Sequence, residues 1–257
     1  MTLIEDEGFL SEEACASIPS IRRENDALFG LAGDVNTTLM ALITSAIEAA
    51  KVNLDSPESF AIRLAFRAIA SLQSVVLLAE RGIVADSRTL ARSVLEDAFA
   101  MGALVADPVK FMSDLKIDYQ TSARGQLTFV EPHLSDPNVR RSINEKLKAL
   151  PKGRSEFGAS MNSKGRPLEK LYYYYRVLSN DSAHPSATSL ERHVFKAKDG
   201  GGWDFKWDIA DAAVNASTLQ ITISAIIAIA IALRDYLGLP AFGEVIDSLW
   251  ERLEALL

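Results

Sequence analysis

Apolar residues recur along most of this chain at the three- and four-residue spacing of amphipathic helices. Capping residues followed by proline precede three apolar segments, at Ser56-Pro57, Asp107-Pro108 and Asp136-Pro137, and such pairs are typical of helix starts. The pattern predicts helices over residues 11–19, 22–51, 57–81, 87–105, 108–130, 137–150, 167–183, 209–237 and 241–256. The sequence therefore predicts an all-α protein built as a helical bundle.

One segment alternates between apolar and polar residues in the manner of a β-hairpin. In residues 193–208 the alternation continues on both sides of Asp199-Gly200-Gly201-Gly202. These glycines are not followed by the Lys-Ser/Thr pair of a phosphate-binding loop, so a turn is the better interpretation. The sequence therefore predicts a small β-hairpin inserted into the bundle.

The length and composition are those of an ordinary globular chain. Its 257 residues are 48% hydrophobic and 24% charged, which is sufficient for a sizeable core and excludes disordered or fibrous classes. We predict a single helical domain over residues 1–257. Residues 1–55 form its N-terminal helices, and residues 56–257 form the core bundle with the hairpin and the C-terminal helices.

Several features predict a cytoplasmic protein without a membrane partner. The single Cys15 cannot form an internal disulfide, as expected in a reducing compartment. The acidic start has no basic region ahead of an apolar run, unlike a secretory signal. The uncharged segment from Ile221 to Leu233 is shorter than the roughly 20 residues of a membrane span, so it is interpreted as a core helix.

The charge is unevenly distributed. The net charge of −7 argues against broad, sequence-independent binding to nucleic acid. Between Asn138 and Lys170, however, lysines and arginines outnumber acidic residues. This segment is either a basic patch or a solvated connection between two helices.

Arg88 lies on the buried side of its predicted helix. On the helical wheel it falls among large apolar residues, with Arg92 at the margin and Glu96 one turn further. Two interpretations remain open. Arg92 and Glu96 form a pair within the helix while Arg88 extends to water, or a polar site compensates the desolvation of the arginine.

A later helix carries hydroxyl groups on the face where apolar side chains are expected. Tyr175, Ser179 and Ser182 lie on its inward face, and buried hydroxyls require hydrogen-bond partners. The sequence predicts one polar binding pocket between the two helices, formed by Arg88, Arg92, Glu96, Tyr175, Ser179 and Ser182, with His184 at its edge.

His184 precedes Pro185, which disfavours helical geometry and predicts the end of the helix. The imidazole there either acts as a general acid or base, or caps the last carbonyl groups. Arg176 and Asn180 lie together on a neighbouring face, one turn apart. The histidines lack the spacing of a metal-ligand set, so no metal site and no cofactor are predicted.

The pairing of "RSVLEDAF" with the later "YYYYRVLSNDSAHPSA" resembles an uncharacterised family of bacterial all-helical proteins of unknown function. That family in turn resembles the HEPN superfamily of helical bundles, and the likeness extends from about Pro57 to Ala232. Many HEPN proteins are metal-independent ribonucleases of toxin, abortive-infection and antiviral systems. They carry an arginine and a histidine four to six residues apart, and they commonly form the active site across a dimer.

The resemblance implies catalytic roles for Arg176 and His184, with Asn180 or Asp181 as the accompanying polar residue. Here seven residues separate the arginine from the histidine, and Val177 follows the arginine. The implied function is a metal-independent ribonuclease, or an RNA- or nucleotide-binding effector, in bacterial defence or stress response. The alternative is a non-catalytic helical module that binds a ligand or another protein.

A homodimer is also expected from the HEPN likeness. The C-terminal helix carries an apolar stripe that either contacts a second chain or belongs to the core. The stripe consists of Val245, Ile246, Leu249, Leu253 and Leu256.

Overall fold

Three helix starts in the computed structural model lie where the capping residues predict them. Ser56 Oγ accepts a hydrogen bond from the backbone N–H of Ser59 at 3.3 Å. Asp107 Oδ1 accepts one from Lys110 at 2.9 Å, and Asp136 Oδ1 accepts one from Asn138. These caps satisfy amides that have no partner inside the helix, and the following prolines have the φ angle of a first helical turn.

The structure describes residues 7–50, 53–153, 155–197, 201–205 and 212–257. The α-helices in these ranges are α1 Glu12–Ala16, α2 Ile18–Glu24, α3 Asp26–Ala49, α4 Pro57–Ala79, α5 Val84–Ala106, α6 Pro108–Val130, α7 Pro137–Ala149, α8 Ala159–Ser163, α9 Tyr172–Leu178, α10 Ala187–Glu191, α11 Ala212–Leu237 and α12 Gly243–Glu254. Short 3-10 turns span Gly8–Leu10, Glu131–His133, Glu169–Leu171 and Pro240–Phe242, and a π turn spans Ser179–Ala183.

α5 is the central helix of the bundle. It packs against α4, α6, α8, α9, α11 and the π turn, and it buries Leu95, Phe99 and Met101 almost completely. α5 begins before the predicted residue 87, because the backbone N–H of Ser87 donates to Ile83 and adds a turn. Asp86 therefore lies in the first turn of the helix.

The C-terminal stripe packs inside the molecule. Ile246, Leu249 and Leu253 are buried where α12 contacts α3 and α11, while Val245 is exposed. Burial of apolar surface within the chain therefore accounts for most of the stripe. The structure removes the stripe as an argument for a dimer and leaves the dimer itself as a prediction.

Three described helices, α3, α4 and α11, are long and apolar enough to cross a membrane by length and composition. The segment from Ile221 to Leu233 belongs to α11, which has 26 residues. The argument that this segment is too short for a span is therefore wrong for the whole helix. These helices also contact one another, since α11 packs on α3, α4 and α5.

Two predicted stretches differ from the structure. The connection over residues 151–166, which lies between two predicted helices, contains α8 and places Phe157 edge-on against Phe111 at 5.4 Å. The helix predicted over residues 167–183 is divided into a 3-10 turn, α9 and the π turn. Single turns such as α8 are too short to produce a recognisable period in the sequence.

The β-hairpin is present as predicted. Strands β1 Val194–Lys196 and β2 Trp203–Phe205 pair antiparallel, with Val194 opposite Phe205. Residues 198–200 and 206–208 of the predicted segment lie outside the described ranges. The molecule is thus a helical bundle with a small hairpin, as the hydrophobic pattern indicates.

Candidate functional site

α5 carries four charged residues that face the interior or its margin. Arg88 and Asp97 are buried, and Arg92 and Glu96 are partly exposed. Successive turns of one helix place these side chains at different heights along its axis. They consequently contact different partners and belong to two separate sites.

The first site is a buried carboxylate held by two arginines. Asp181 Oδ2 lies 2.5 Å from Arg88 Nε and 2.5 Å from Arg192 Nη2, and Arg192 Nε donates to the other carboxylate oxygen at 3.1 Å. We call Arg88, Asp181 and Arg192 the Asp181 cluster. Two guanidinium groups and one carboxylate give it a formal charge of +1, in a region where burial strengthens electrostatic interactions.

α11 supplies further partners for the Asp181 cluster. Arg88 Nη1 lies 3.3 Å from Ser217 Oγ and 3.2 Å from Thr218 Oγ1, so both hydroxyls accept from the guanidinium. A buried arginine with a carboxylate and two hydroxyls offsets much of its desolvation cost. The interpretation in which Arg88 extends to water is therefore wrong.

The π turn and α10 bring Asp181 and Arg192 together. The turn ends at His184, whose extended backbone (φ −133°, ψ 148°) precedes Pro185 as predicted. α10 then begins with a capping box, in which the side chains of Ser186 and Ser189 each accept from the backbone N–H of the other. Arg192 follows α10 directly, so this short helix directs its guanidinium back to Asp181.

A cavity of about 460 Å³ lies against the Asp181 cluster, and we call it the Asp181 cavity. Asn180 Nδ2 donates to Thr188 Oγ1 at 3.2 Å on its exposed side. The lining residues are Arg88, Val177, Asn180, Asp181, Thr188, Arg192, Ala213, Val214 and Ser217. Positive charge, an amide and hydroxyl groups thus surround a space accessible to solvent.

The second site is centred on Arg92. Its Nη2 donates to Glu96 Oε1 at 3.0 Å and to the Tyr175 hydroxyl at 2.9 Å, and its guanidinium lies 4.9 Å from the Tyr175 ring centre. The intrahelical pair is therefore present, as one interpretation of the sequence held. The Tyr175 hydroxyl thus accepts the hydrogen bond that its inward position requires.

Next to this group, Arg67 of α4 forms an ion pair with Asp97 of α5. Asp97 has no exposed surface, and burial raises the pKa of its carboxyl group from 3.8 to about 7. The Arg67 charge opposes this rise in pKa, while the negative charge of Glu96 adds to it. Asp97 is thus a carboxyl group that changes its protonation state near neutral pH.

A cavity of about 500 Å³ opens between α4, α5, α6 and the segment that contains α8, and we call it the aromatic cavity. Its walls combine aromatic and aliphatic side chains with a few charged ones. The residues that line it are Phe60, Arg63, Leu64, Arg67, Glu96, Ala100, Phe111, Leu115, Phe157, Gly158, Ala159, Asn162 and Tyr175.

The structure does not bring the predicted binding residues into one pocket. Arg88 lines the Asp181 cavity, whereas Glu96 and Tyr175 line the aromatic cavity. Ser179 Oγ and Ser182 Oγ donate to carbonyl groups four residues earlier, each at 2.8 Å. Their hydroxyls are satisfied by their own helix and bind no charged residue of α5.

The three predicted catalytic residues are on the surface. Arg176, Asn180 and His184 are exposed, and Asn180 alone of them lines a described cavity. His184 is exposed and lies at the end of the π turn, where Pro185 predicted the helix to end. Its backbone carbonyl accepts a hydrogen bond from Ser189 Oγ at 2.9 Å.

Sequence reasoning missed several members of the two sites. Asp181 was considered only as a companion of the catalytic pair, and Arg192 and Asp97 were not considered at all. The buried position of Arg88 did indicate that polar groups should lie nearby, but it did not identify Asp181 among them. For Asp97, its position next to Glu96 on a largely buried helix was the available signal.

Among the described residues, no group of three or more histidine, cysteine, aspartate or glutamate side chains is arranged to hold a metal ion. A model of a family of unknown function, DUF5677, matches residues 58–202, which include α5 to α10, α4 except its first residue, and the charged residues of both arginine sites. No curated protein and no solved structure matches the chain. The comparisons support an uncharacterised domain and do not extend to the HEPN superfamily.

Proposed function

We propose that this chain, which belongs to a family of unknown function, DUF5677, binds an RNA phosphodiester or the phosphate of a nucleotide in the Asp181 cavity. The observation that carries the proposal is the pair of arginines that share the single carboxylate of Asp181. The surplus positive charge favours an anion, and arginine forms strong charge-assisted hydrogen bonds with phosphate oxygens.

The groups around the cavity suit a short stretch of nucleic acid. The Asn180 amide and the Thr188 hydroxyl lie at the exposed side, where they can contact sugar or base edges. The net charge of −7 disfavours tight binding to a long polyanion through the whole surface. A local site with few phosphate contacts is consistent with both observations.

We propose in addition that the protein is a metal-independent ribonuclease. His184 and Arg176 lie outside the Asp181 cavity, on the exposed surface of the segment that supplies Val177, Asn180 and Asp181 to its lining, and would act on a phosphodiester next to the one bound in the cavity. His184 would take the proton of the 2′-hydroxyl, whose oxygen then bonds to phosphorus while the bond to the 5′-oxygen breaks. Arg176 would stabilise the negative charge that develops on the phosphate oxygens. The 5′-oxygen takes a proton from solvent water as it leaves, the other product is a 2′,3′-cyclic phosphate, and His184 returns its proton to solvent.

The π turn supports this assignment of the catalytic pair. The spacing of seven residues between Arg176 and His184 is one longer than the longest HEPN spacing. The turn Ser179–Ala183 lies in this interval, and a π turn holds an extra residue relative to an α-helical turn. π turns are also frequent at functional sites.

The wider role follows from the HEPN resemblance. We propose a cytoplasmic homodimer that acts as an effector in bacterial defence or stress response. The alternative function is non-catalytic binding of a ligand or a protein. Of these two, the Asp181 cavity favours binding of a ligand. Catalysis is what distinguishes the two proposals.

The test uses the full chain with a fluorescently labelled single-stranded RNA in buffer that contains EDTA. We expect cleavage by the unaltered protein and a decrease of about 10²- to 10⁴-fold in rate for His184→Ala, because the proton acceptor is lost. Binding measured by fluorescence anisotropy should persist in this variant, whose stability should change by less than about 0.5 kcal/mol at an exposed position.

His133→Ala is the matched control, because this histidine is also exposed and lies on a different turn, Glu131–His133. It should cleave RNA as the unaltered protein does. Binding without cleavage would contradict the ribonuclease and support the ligand-binding alternative. If neither RNA nor a mononucleotide binds, the phosphodiester site itself is wrong.

A further inference from the structure

The aromatic cavity is a second candidate ligand site, separate from the proposed phosphodiester site. It shares no lining residue with the Asp181 cavity. Its volume of about 500 Å³ lies in the range of sites that bind small organic molecules. A ligand there would therefore be recognised independently of RNA.

One part of the aromatic cavity is suited to a planar apolar group. Phe60, Phe111 and Phe157 contribute rings to its wall, and the last two are 5.4 Å apart in an edge-to-face arrangement. Leu64 and Leu115 extend the apolar surface. Aromatic side chains prefer edge-to-face and offset contacts with other rings, so an aromatic ligand gains more here than a polar one.

The charged part of the cavity carries more positive than negative charge. Arg63 and Arg67 of α4 face Glu96 of α5 at the wall. Arg92 is paired with Glu96, and Asp97 is paired with Arg67. Three guanidinium groups are thus arranged with two carboxylates, so an anionic group on the ligand is favoured over a cationic one.

Arg67 connects the buried carboxylate to the cavity. It contacts Asp97 through Nη1, while 56% of its side chain remains exposed. Within the described part of the chain, the second carboxylate oxygen of Asp97 has no hydrogen-bond partner although it is buried. That oxygen is an acceptor and does not itself attract an anion. The group that does is Arg67, which uses one donor on Asp97 and, being largely exposed, keeps further guanidinium donors for a second carboxylate.

We propose that the aromatic cavity binds a small aromatic carboxylate, with its ring against Phe60, Phe111 and Phe157 and its carboxylate on Arg67. The apolar wall provides affinity for the ring, and the arginine provides selection for the negative charge. This makes α4 and α5 the two sides of a receptor site for an organic acid. The proposal goes beyond the phosphodiester site and does not depend on it.

Isothermal titration calorimetry with 2-naphthoate tests the proposal, and uncharged 2-naphthamide serves as the matched probe of nearly the same shape. We expect 2-naphthoate to bind at least about tenfold more tightly than the amide, because only the acid pairs with Arg67. In the double variant Arg67→Gln/Asp97→Asn this preference should disappear. The double variant removes both charges together, so it leaves no buried carboxylate without its partner.

Two further variants complete the experiment. Arg252→Gln/Asp34→Asn removes another arginine–aspartate pair, which is exposed and lies outside the cavity, and it should keep the preference. Phe157→Ala should weaken both probes by about tenfold, since it removes part of the aromatic wall. Equal binding of the two probes to the unaltered protein, or no binding of 2-naphthoate, would overturn the proposal.

Discussion

Asp97 is a fully buried carboxyl group. Burial raises the pKa of its carboxyl group to about 7, and the charges that bear on it are Arg67 of α4 and Glu96 of its own helix. In the unfolded chain the pKa is about 3.8. Between these two values the folded state holds more protons than the unfolded state, so the free energy of unfolding decreases as the pH rises from about 4 to about 7.

Asp97→Asn should remove this contribution to the pH dependence. An amide occupies the same volume without a charge, and Arg67 is exposed enough to remain solvated. We expect the variant to be as stable as the unaltered protein near pH 4 and more stable by roughly 1 to 4 kcal/mol above pH 7. Urea denaturation at several pH values measures the difference.

Asp34→Asn is the control for this series, because its carboxylate is 58% exposed and pairs with Arg252. It should follow the pH profile of the unaltered protein within about 0.5 kcal/mol. If Asp97→Asn shows the same pH profile as the unaltered protein, the raised pKa is wrong.

At the scale of structural elements, the π turn contacts the central helix through a buried carboxylate. Asp181 is buried within the turn and binds arginines from α5 and from the end of α10. These contacts attach the segment that carries Asn180 and His184 to the central helix. The geometry of the proposed catalytic surface therefore depends on a buried ion pair.

Asp181→Ala should destabilise the protein strongly. It leaves Arg88, which is only 7% exposed, without a carboxylate partner, and removal of one member of a buried ion pair costs about 3 to 5 kcal/mol. Thermal or urea unfolding measures the loss. Glu191→Ala is the control, since this exposed acidic residue lies on the neighbouring α10 and should change stability by less than about 0.5 kcal/mol. A loss as small as that of the control would contradict the role of the cluster.

The elements also show what could be predicted from the sequence. The starts of α4, α6 and α7 were predictable, because a capping residue and a proline act locally and leave a sequence signal. The π turn and the one-turn helices α8 and α10 were not, since they extend over too few residues for a period. Their positions depend on tertiary contacts, such as the aromatic contact of Phe157 and the ion pair of Arg192.

The same distinction applies to the candidate sites. The helical wheel predicted that Arg88 lies on the buried face of its helix, because helix geometry alone determines which residues share a face. The structure confirms that Arg88 is buried. Its partner Asp181 lies on a distant segment, and no local pattern indicates the pairing. The hydroxyls of Ser179 and Ser182 were assigned to the wrong partners because their own helix carbonyls were closer.

At the scale of the whole molecule, three apolar helices pack against one another. α11 contacts α3, α4 and α5, and α12 covers part of the same surface. α4 also carries Arg63 and Arg67, and arginines in the middle of a membrane span are costly. Composition and length would nevertheless allow each of the three helices to cross a membrane, so the cytoplasmic location proposed above needs a direct test.

Sedimentation velocity in buffer without detergent tests both the solubility and the assembly of the molecule. We expect a soluble species with twice the 28.0 kDa mass of one chain. The proposed HEPN likeness implies an active site formed across a dimer, and Arg176, Asn180 and His184 are exposed and therefore accessible to a second chain. The apolar helices should need no detergent, since their contacts are within the bundle. A species with the mass of a single chain at micromolar concentration would contradict the dimer, and recovery only in detergent would contradict the cytoplasmic location.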